Sequence, residues 1–205
     1  MTTDKSLFHY GVLYHRLLDP LIMPARNLIV EKVPENSSVL DIGCGTGALC
    51  FDLKRKKNCS VVGIDLSNKM LAFAQASNTY EDVLFLHRDA TDMSEFSDNV
   101  FDYAIIMNVI HEMYPEIQTK LLKEAVRVSK KALLYDSNVP LPWNPTGIVK
   151  RIIEVTFGLD HFPQFRRFIL KGGIKGVMAA SGLTNHVEEE VVCFQGCNLL
   201  LTLED

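Results

Sequence analysis

Short apolar runs alternate with helix-like stretches along most of this chain. Val39–Ile42, Val61–Asp65, Val83–His87, Phe101–Met107 and Ala132–Asp136 predict five strands. Between them lie three predicted helices, Ala48–Lys56 starting at a glycine turn, Asn68–Ala76 capped by Ser67 or Asn68, and Glu116–Val128 introduced by Pro115. Upstream, residues 7–30 also read as helical, with Pro20 and Pro24 dividing the stretch. Strands alternating with helices predict an α/β fold, a Rossmann-like, doubly wound, mainly parallel sheet covered on both faces. After Asp136 the pattern changes. Pro140, Pro142 and Pro145 stiffen a loop, and helices are predicted over Pro145–Phe157, Pro163–Leu170 and Ile174–Ser181. Val187–Phe194 and Cys197–Leu203 flank Gln195-Gly196 as a C-terminal antiparallel hairpin, which brings the sheet to seven strands.

Composition narrows the class without changing this outline. A chain of 205 residues fits one domain, whose core needs no covalent staples. Within it the pattern divides into an N-terminal helical segment (1–36), a core (37–136), a helical insertion (137–182) and the closing hairpin (183–205). Hydrophobic residues at 47% and charged residues at 22% argue against disorder, and a net charge of −4 argues against a general nucleic-acid binder. No apolar run approaches the roughly 20 residues that span a bilayer, and the N-terminus lacks a signal-peptide stretch. Five cysteines without CxxC pairs suit reduced thiols in the cytoplasm and form no metal-site pattern. The charge is uneven. Between Val139 and Ser181 six basic residues face two acidic ones, a local +4 that leaves −8 for the remainder. Solvated helix faces would account for it, as would attraction of an anionic substrate group or a phospholipid surface, that is, a peripheral membrane contact.

The chemistry concentrates in Val39-Leu40-Asp41-Ile42-Gly43-Cys44-Gly45-Thr46-Gly47. Its glycines let the backbone turn sharply and approach a ligand. Asp41 places a carboxylate beside that turn, which would repel a pyrophosphate and attract a cationic amino group. The run resembles the first motif of the class I S-adenosylmethionine-dependent methyltransferases. Asp65, about 20 residues on at the tip of the second strand, suits the ribose hydroxyls. The resemblance implies S-adenosylmethionine as cofactor. It also implies Asp89-Ala90 at the adenine, Asn108 and Val109 at the methionine end, and Leu66 and Met70 as apolar cover. It is closest over residues 37–136. Just upstream, Tyr10, Tyr14, Pro20 and Arg26 are similar to the N-terminal segment of the quinone and phospholipid methyltransferase branch, where it folds over the cofactor. Tyr10 and Tyr14 lie one helical turn apart, so ordinary packing of an amphipathic helix also explains them.

Methyl transfer from a sulfonium mainly requires positioning and exclusion of water, plus removal of a proton from carbon or oxygen acceptors. His111 is the candidate base, or a pocket wall, and His161 is a second candidate for acid–base work. Asn108-Val109-Ile110-His111 is not the Asn/Asp-Pro-Pro-aromatic run of nucleobase or glutamine methyltransferases. Phe162, Phe165 and Phe168 recur at a helical spacing beside Arg166 and Arg167. Phe165 would line the acceptor pocket while Arg166 or Arg167 meets a substrate carboxylate or phosphate, or else the phenylalanines pack in the core under solvated arginines. Cys193 and Cys197 read as core thiols rather than a metalloid site. The expected function is therefore methylation of a small, hydrophobic, in some cases anionic, quinone-like or phospholipid-like molecule. The alternatives are a non-catalytic S-adenosylmethionine-binding regulator and a nicotinamide-dependent oxidoreductase.

Overall fold

The computed structural model describes residues 19–156 and 162–204. The described chain opens with helix α1 (Asp19–Lys32), followed by β1 (Ser38–Ile42), α2 (Ala48–Lys57), β2 (Ser60–Asp65), α3 (Asn68–Ser77), β3 (Val83–His87) and β4 (Phe101–Met107). A single 3-10 turn at Ile110–Glu112 leads to α4 (Pro115–Val128) and β5 (Ser129–Ser137). The insertion helices are α5 (Pro145–Thr156), α6 (Phe162–Leu170) and α7 (Gly173–Ser181), and β6 (Val187–Cys193) and β7 (Asn198–Glu204) close the chain.

The seven strands form one sheet in the order β3-β2-β1-β4-β5-β7-β6. The first five run parallel, whereas β7 is antiparallel to both β5 and β6. The doubly wound fold class and its antiparallel hairpin are as the sequence predicts. The strand order reverses between β1 and β4, so their carboxyl ends frame the crevice where this architecture binds ligands.

Alternation along each strand splits the core in two. Leu40, Ile42, Ala104, Ile106 and Leu134 face one layer with Leu121, Leu122, Ala125 and Phe168. Val39, Ile105, Leu133 and Leu200 face the other, with Ile29, Cys50 and Leu53.

Three boundaries differ from the sequence reading. Helix α1 runs through Pro24 rather than breaking there. The proline forfeits only one backbone bond near the helix start, while Ala25, Ile29 and Val30 beyond it are buried. Strand β5 begins at Ser129, directly after α4, although Lys130 and Lys131 look like loop residues. Lys131 pairs in register with Glu204 and holds Glu188 at 2.6 Å, so its charge is satisfied within the sheet. At the hairpin, a 3-10 turn over Phe194–Gly196 replaces the two-residue turn, with Phe194 and Gln195 both at positive φ.

Candidate functional site

The glycine turn after β1 is held from three sides. Gly43 and Cys44 donate backbone hydrogen bonds to the Ile64 carbonyl, at 2.8 and 3.1 Å. Gly45 N–H donates to Asp65 Oδ2 at 2.9 Å. Thr46 Oγ1 donates to Asp19 Oδ2 at 2.9 Å, pinning the start of α1 to the loop. Buried Arg26 bonds the Asp19 carbonyl and Asp52 of α2, so it is a structural clamp between the two helices. At Gly43 (φ +75°) a Cβ would lie 2.5 Å from Val109 Cγ2, whereas at Gly45 (φ +54°) it would meet open space. The backbone is therefore bare where it faces the crevice.

That crevice is a cavity of about 430 Å³. Nine of the residues anticipated as cofactor contacts line it together, namely Gly43, Gly45, Asp65, Leu66, Met70, Asp89, Ala90, Asn108 and Val109. Asp65 is fixed by both oxygens, since Oδ1 also accepts from Ser67 N–H at 2.7 Å. Asp89 Oδ1 accepts from Thr91 N–H and Oγ1, at 2.9 and 2.8 Å, closing a small turn. Asn108 takes a left-handed φ of +53° at the tip of β4, and its N–H donates to Tyr135 O at 2.9 Å. Leu66 is 60% exposed, an apolar surface placed where a ring can cover it.

The cavity's charge selects its ligand. Asp65, Asp89, Glu112 and Glu116 line it against Arg88 and Lys120, and Arg88 is already paired with Glu95 at 2.8 Å. A cationic ligand is favoured and a pyrophosphate is not. The volume falls within the ~300–1,000 Å³ of small-molecule sites, and apolar Ile42, Ile64, Leu66 and Met70 lie beside a fixed carboxylate. These residues fit a nucleoside carrying a cationic amino-acid arm.

Asp41 behaves differently from the expectation. It sits on the same strand face as Val39, buried against α2, and accepts a hydrogen bond from the Cys50 thiol at 3.2 Å. It does not line the cavity. The electronegative wall comes from the acids after β2, β3 and β4 instead. Burial pushes the Asp41 carboxyl up to about 7, with the Cys50 hydrogen bond opposing and the Asp65 charge reinforcing the rise. Its contribution to stability is present below its ordinary value of 3.8 and is lost as pH rises through about 7. Asp41→Asn is therefore expected to stabilise the protein above neutral pH, by up to roughly 4 kcal/mol, and progressively less toward acid. Urea unfolding of both proteins across that range measures it; equal stabilities at every pH would refute the raised pKa.

His111 lies beside the cavity rather than in its wall. Its neighbours Val109 and Glu112 are lining residues, while the ring is buried in a hydrogen-bonded pair with Asp136 at the tip of β5. His111 Nδ1 is 2.7 and 2.8 Å from the two Asp136 oxygens, and since a carboxylate only accepts, Nδ1–H donates. Burial pushes Asp136 up, but the His111 charge and hydrogen bond, with Lys150 and the Ser137 N–H, outweigh it and hold the carboxyl below its usual range. Phe165 stands edge-on to the imidazole at 5.6 Å, and Phe168 is tilted at 6.1 Å. The aromatic face of α6 thus covers the pair. Arg166 and Arg167 point outward; Arg167 donates to Gln164 Oε1 at 2.9 Å and lies 5.3 Å over the Tyr114 ring. Tyr10, Tyr14 and His161 fall outside the described residues, as does the side chain of Phe162.

Sequence reasoning missed Asp136 as the partner of His111, and it missed Arg88, Glu112, Met113, Glu116 and Lys120 in the cavity wall. Asp136 carried a signal in being a charged residue ending an otherwise apolar strand. The α4 residues carried none.

The family model of the methyltransferase domain matches residues 39–132, the span that builds this cavity. Residues 39–132 are a class I S-adenosylmethionine-dependent methyltransferase domain. The cofactor of this methyltransferase domain is S-adenosylmethionine, and the match sets aside the nicotinamide-dependent alternative. Among curated proteins, the chain is 36% identical over 115 residues to YqeM of Bacillus subtilis (53% of this chain, 45% of that protein). It is 34% identical over 108 residues to the demethylmenaquinone methyltransferase of Bacillus licheniformis (51% and 45%). It is 24% identical over 155 residues to the ubiquinone biosynthesis O-methyltransferase of Bartonella quintana (73% and 61%). The chain thus spans about half the length of the curated relatives it matches. The PH0226 protein of Pyrococcus horikoshii has the same fold, with a TM-score of 0.70, 22% identity and coverage of 93% of this chain and 97% of that one. So does phosphoethanolamine N-methyltransferase 2 of Haemonchus contortus, solved with S-adenosylmethionine, at 0.59, 21%, 82% and 39%.

Proposed function

We propose that this chain methylates a small hydrophobic acceptor through an ionisable hydroxyl, of the quinol or phenol type. The observation that carries this reading is the buried His111–Asp136 pair beside the cofactor cavity, under Phe165 and Phe168. S-adenosylmethionine, when bound, supplies a methyl group already activated on a cationic sulfur. Gly45 and Asp65 would hold its ribose side, Asp89 and Ala90 its adenine, and Asn108 with Val109 its amino-acid arm. The rest falls to the acceptor side of the protein.

With Nδ1–H committed to Asp136, the basic nitrogen of His111 is Nε2. The hydroxyl proton of the acceptor passes to Nε2 as its oxygen gains the methyl group, and Asp136 stabilises the resulting imidazolium. Phe165 and Phe168, both buried, keep water from the pair. The Ser137 hydroxyl, one residue beyond Asp136, is buried beside the pair with no hydrogen-bond partner among the described residues. The names of two relatives, a ubiquinone biosynthesis O-methyltransferase and a demethylmenaquinone methyltransferase, support a quinone-type acceptor.

Incubation with methyl-labelled S-adenosylmethionine and a panel of a hydroxylated quinol, a catechol, phosphoethanolamine and a phosphatidylethanolamine tests the reading. Label is expected on oxygen of the quinol or catechol. Transfer to the amines alone, or tight cofactor binding with no transfer to any of the four, would refute it.

A further inference from the structure

Helix α5 is turned the opposite way from an ordinary surface helix. Ile148, Val149 and Ile152, which share one face by their spacing, are 45, 54 and 58% exposed, and Trp143 just before the helix is 84% exposed. Lys150 and Arg151 of this helix turn back toward the protein. Lys150 Nζ donates to the Cys197 carbonyl at 3.4 Å. Arg151 donates to the carbonyls of Leu141, Pro142 and Gly147, at 2.7, 2.8 and 3.1 Å, and stacks 4.2 Å from the Trp143 ring. This orientation is fixed rather than accidental. Asn144 Nδ2 and Thr146 Oγ1 tie the helix start to the backbone and side chain of Gln195, at 3.0 and 2.7 Å.

The neighbouring helix α6 buries Phe165 and Phe168 and exposes Pro163, Arg166, Arg167 and Leu170, with Lys171 exposed just beyond. Among the described residues no carboxylate pairs with Arg166, Arg167 or Lys171. The insertion therefore joins an outward apolar helix face to three cations, Arg166, Arg167 and Lys171, that have no carboxylate partner among the described residues. By sequence the segment carries +4 on a chain whose remainder carries −8. Among the described residues no helix is long and apolar enough to cross a membrane. An apolar stripe with a tryptophan and flanking basic residues is the chemistry of a helix lying in a bilayer interface.

We propose that α5 and the Trp143 loop dock this protein onto an anionic phospholipid surface. Ile148, Val149, Ile152 and Trp143 enter the acyl boundary, and Arg166, Arg167 and Lys171 meet lipid phosphates. The net-negative remainder faces away from the lipid. This proposal stands apart from the acceptor's identity, because vesicle binding is read without turnover.

The test is vesicle co-sedimentation of the full chain, comparing pure phosphatidylcholine with equal parts phosphatidylcholine and phosphatidylglycerol. Binding is expected to the mixed vesicles and to fall steeply with salt. The double substitution Ile148→Glu with Ile152→Glu is expected to weaken it at least about tenfold, since each carboxylate must leave water to enter the interface. S-adenosylhomocysteine affinity should stay unchanged in that variant, which certifies its fold. Three results would each overturn the proposal: equal binding by the variant, no preference for the mixed vesicles, or a lipid-free dimer that the double substitution abolishes. The last would give the face to a second copy of the chain.

Discussion

Asp65→Ala is expected to weaken S-adenosylhomocysteine binding by roughly 1–3 kcal/mol, or about 5- to 150-fold, the scale of hydrogen bonds to a charged acceptor. Two losses combine. The carboxylate no longer accepts from a ribose, and it no longer accepts from Gly45 and Ser67, whose N–H groups it holds at 2.9 and 2.7 Å. The second loss slackens the glycine turn at the point where it bares its backbone to the cavity. Asp65→Asn separates the contributions, because an amide oxygen still accepts one of the two N–H bonds while the negative charge is gone. Its affinity should fall between the wild type and the alanine variant, and titration calorimetry measures all three. Alanine and wild type with equal dissociation constants would remove Asp65 from the site.

That prediction was readable from the sequence because a parallel sheet brings strand tips together whatever their separation along the chain. Asp65, Asp89 and Asn108 follow three consecutive strands, and topology alone places them around one crevice. Asp41 was read by the same logic, and the structure puts it elsewhere because strand-tip residues still obey the pleat. Val39 and Asp41 share a face, that face is covered by α2, and Cys50 waits there for the carboxylate. Counting from Val39 would have found it. The wall contributed by α4 was beyond such counting. Glu116 and Lys120 reach the cavity only because α4 crosses above β4, a matter of packing angle rather than of pattern.

The pairing of His111 with Asp136 was hidden for a related reason. The two residues are 25 positions apart, and they meet because β4 and β5 run parallel with Met107 beside Tyr135. Only the register puts the residue after Tyr135 next to the turn after Met107. The same adjacency leaves the Ser137 hydroxyl buried alongside.

Asp136→Ala is expected to cost about 3–5 kcal/mol in urea unfolding, as when one partner of a buried pair is removed. It strands the His111 ring and also the backbone N–H groups of His111 and Ser137, which the carboxylate accepts at 3.3 and 2.6 Å. The pH dependence has a definite sign. Because the folded-state pKa of Asp136 is lowered, its contribution is present above the ordinary carboxylate value and disappears as pH falls through the depressed one. The acid limb of the wild-type stability curve should therefore flatten in Asp136→Asn, which keeps the shape and one acceptor but no charge. If His111 is the base, the same asparagine variant should lose about 100-fold or more in turnover while holding the cofactor within about twofold. The pH profile of its turnover should also move, since the carboxylate that favours the imidazolium is gone. A merely structural Asp136 predicts otherwise: stability would fall, but the pH at which turnover rises would stay where it was.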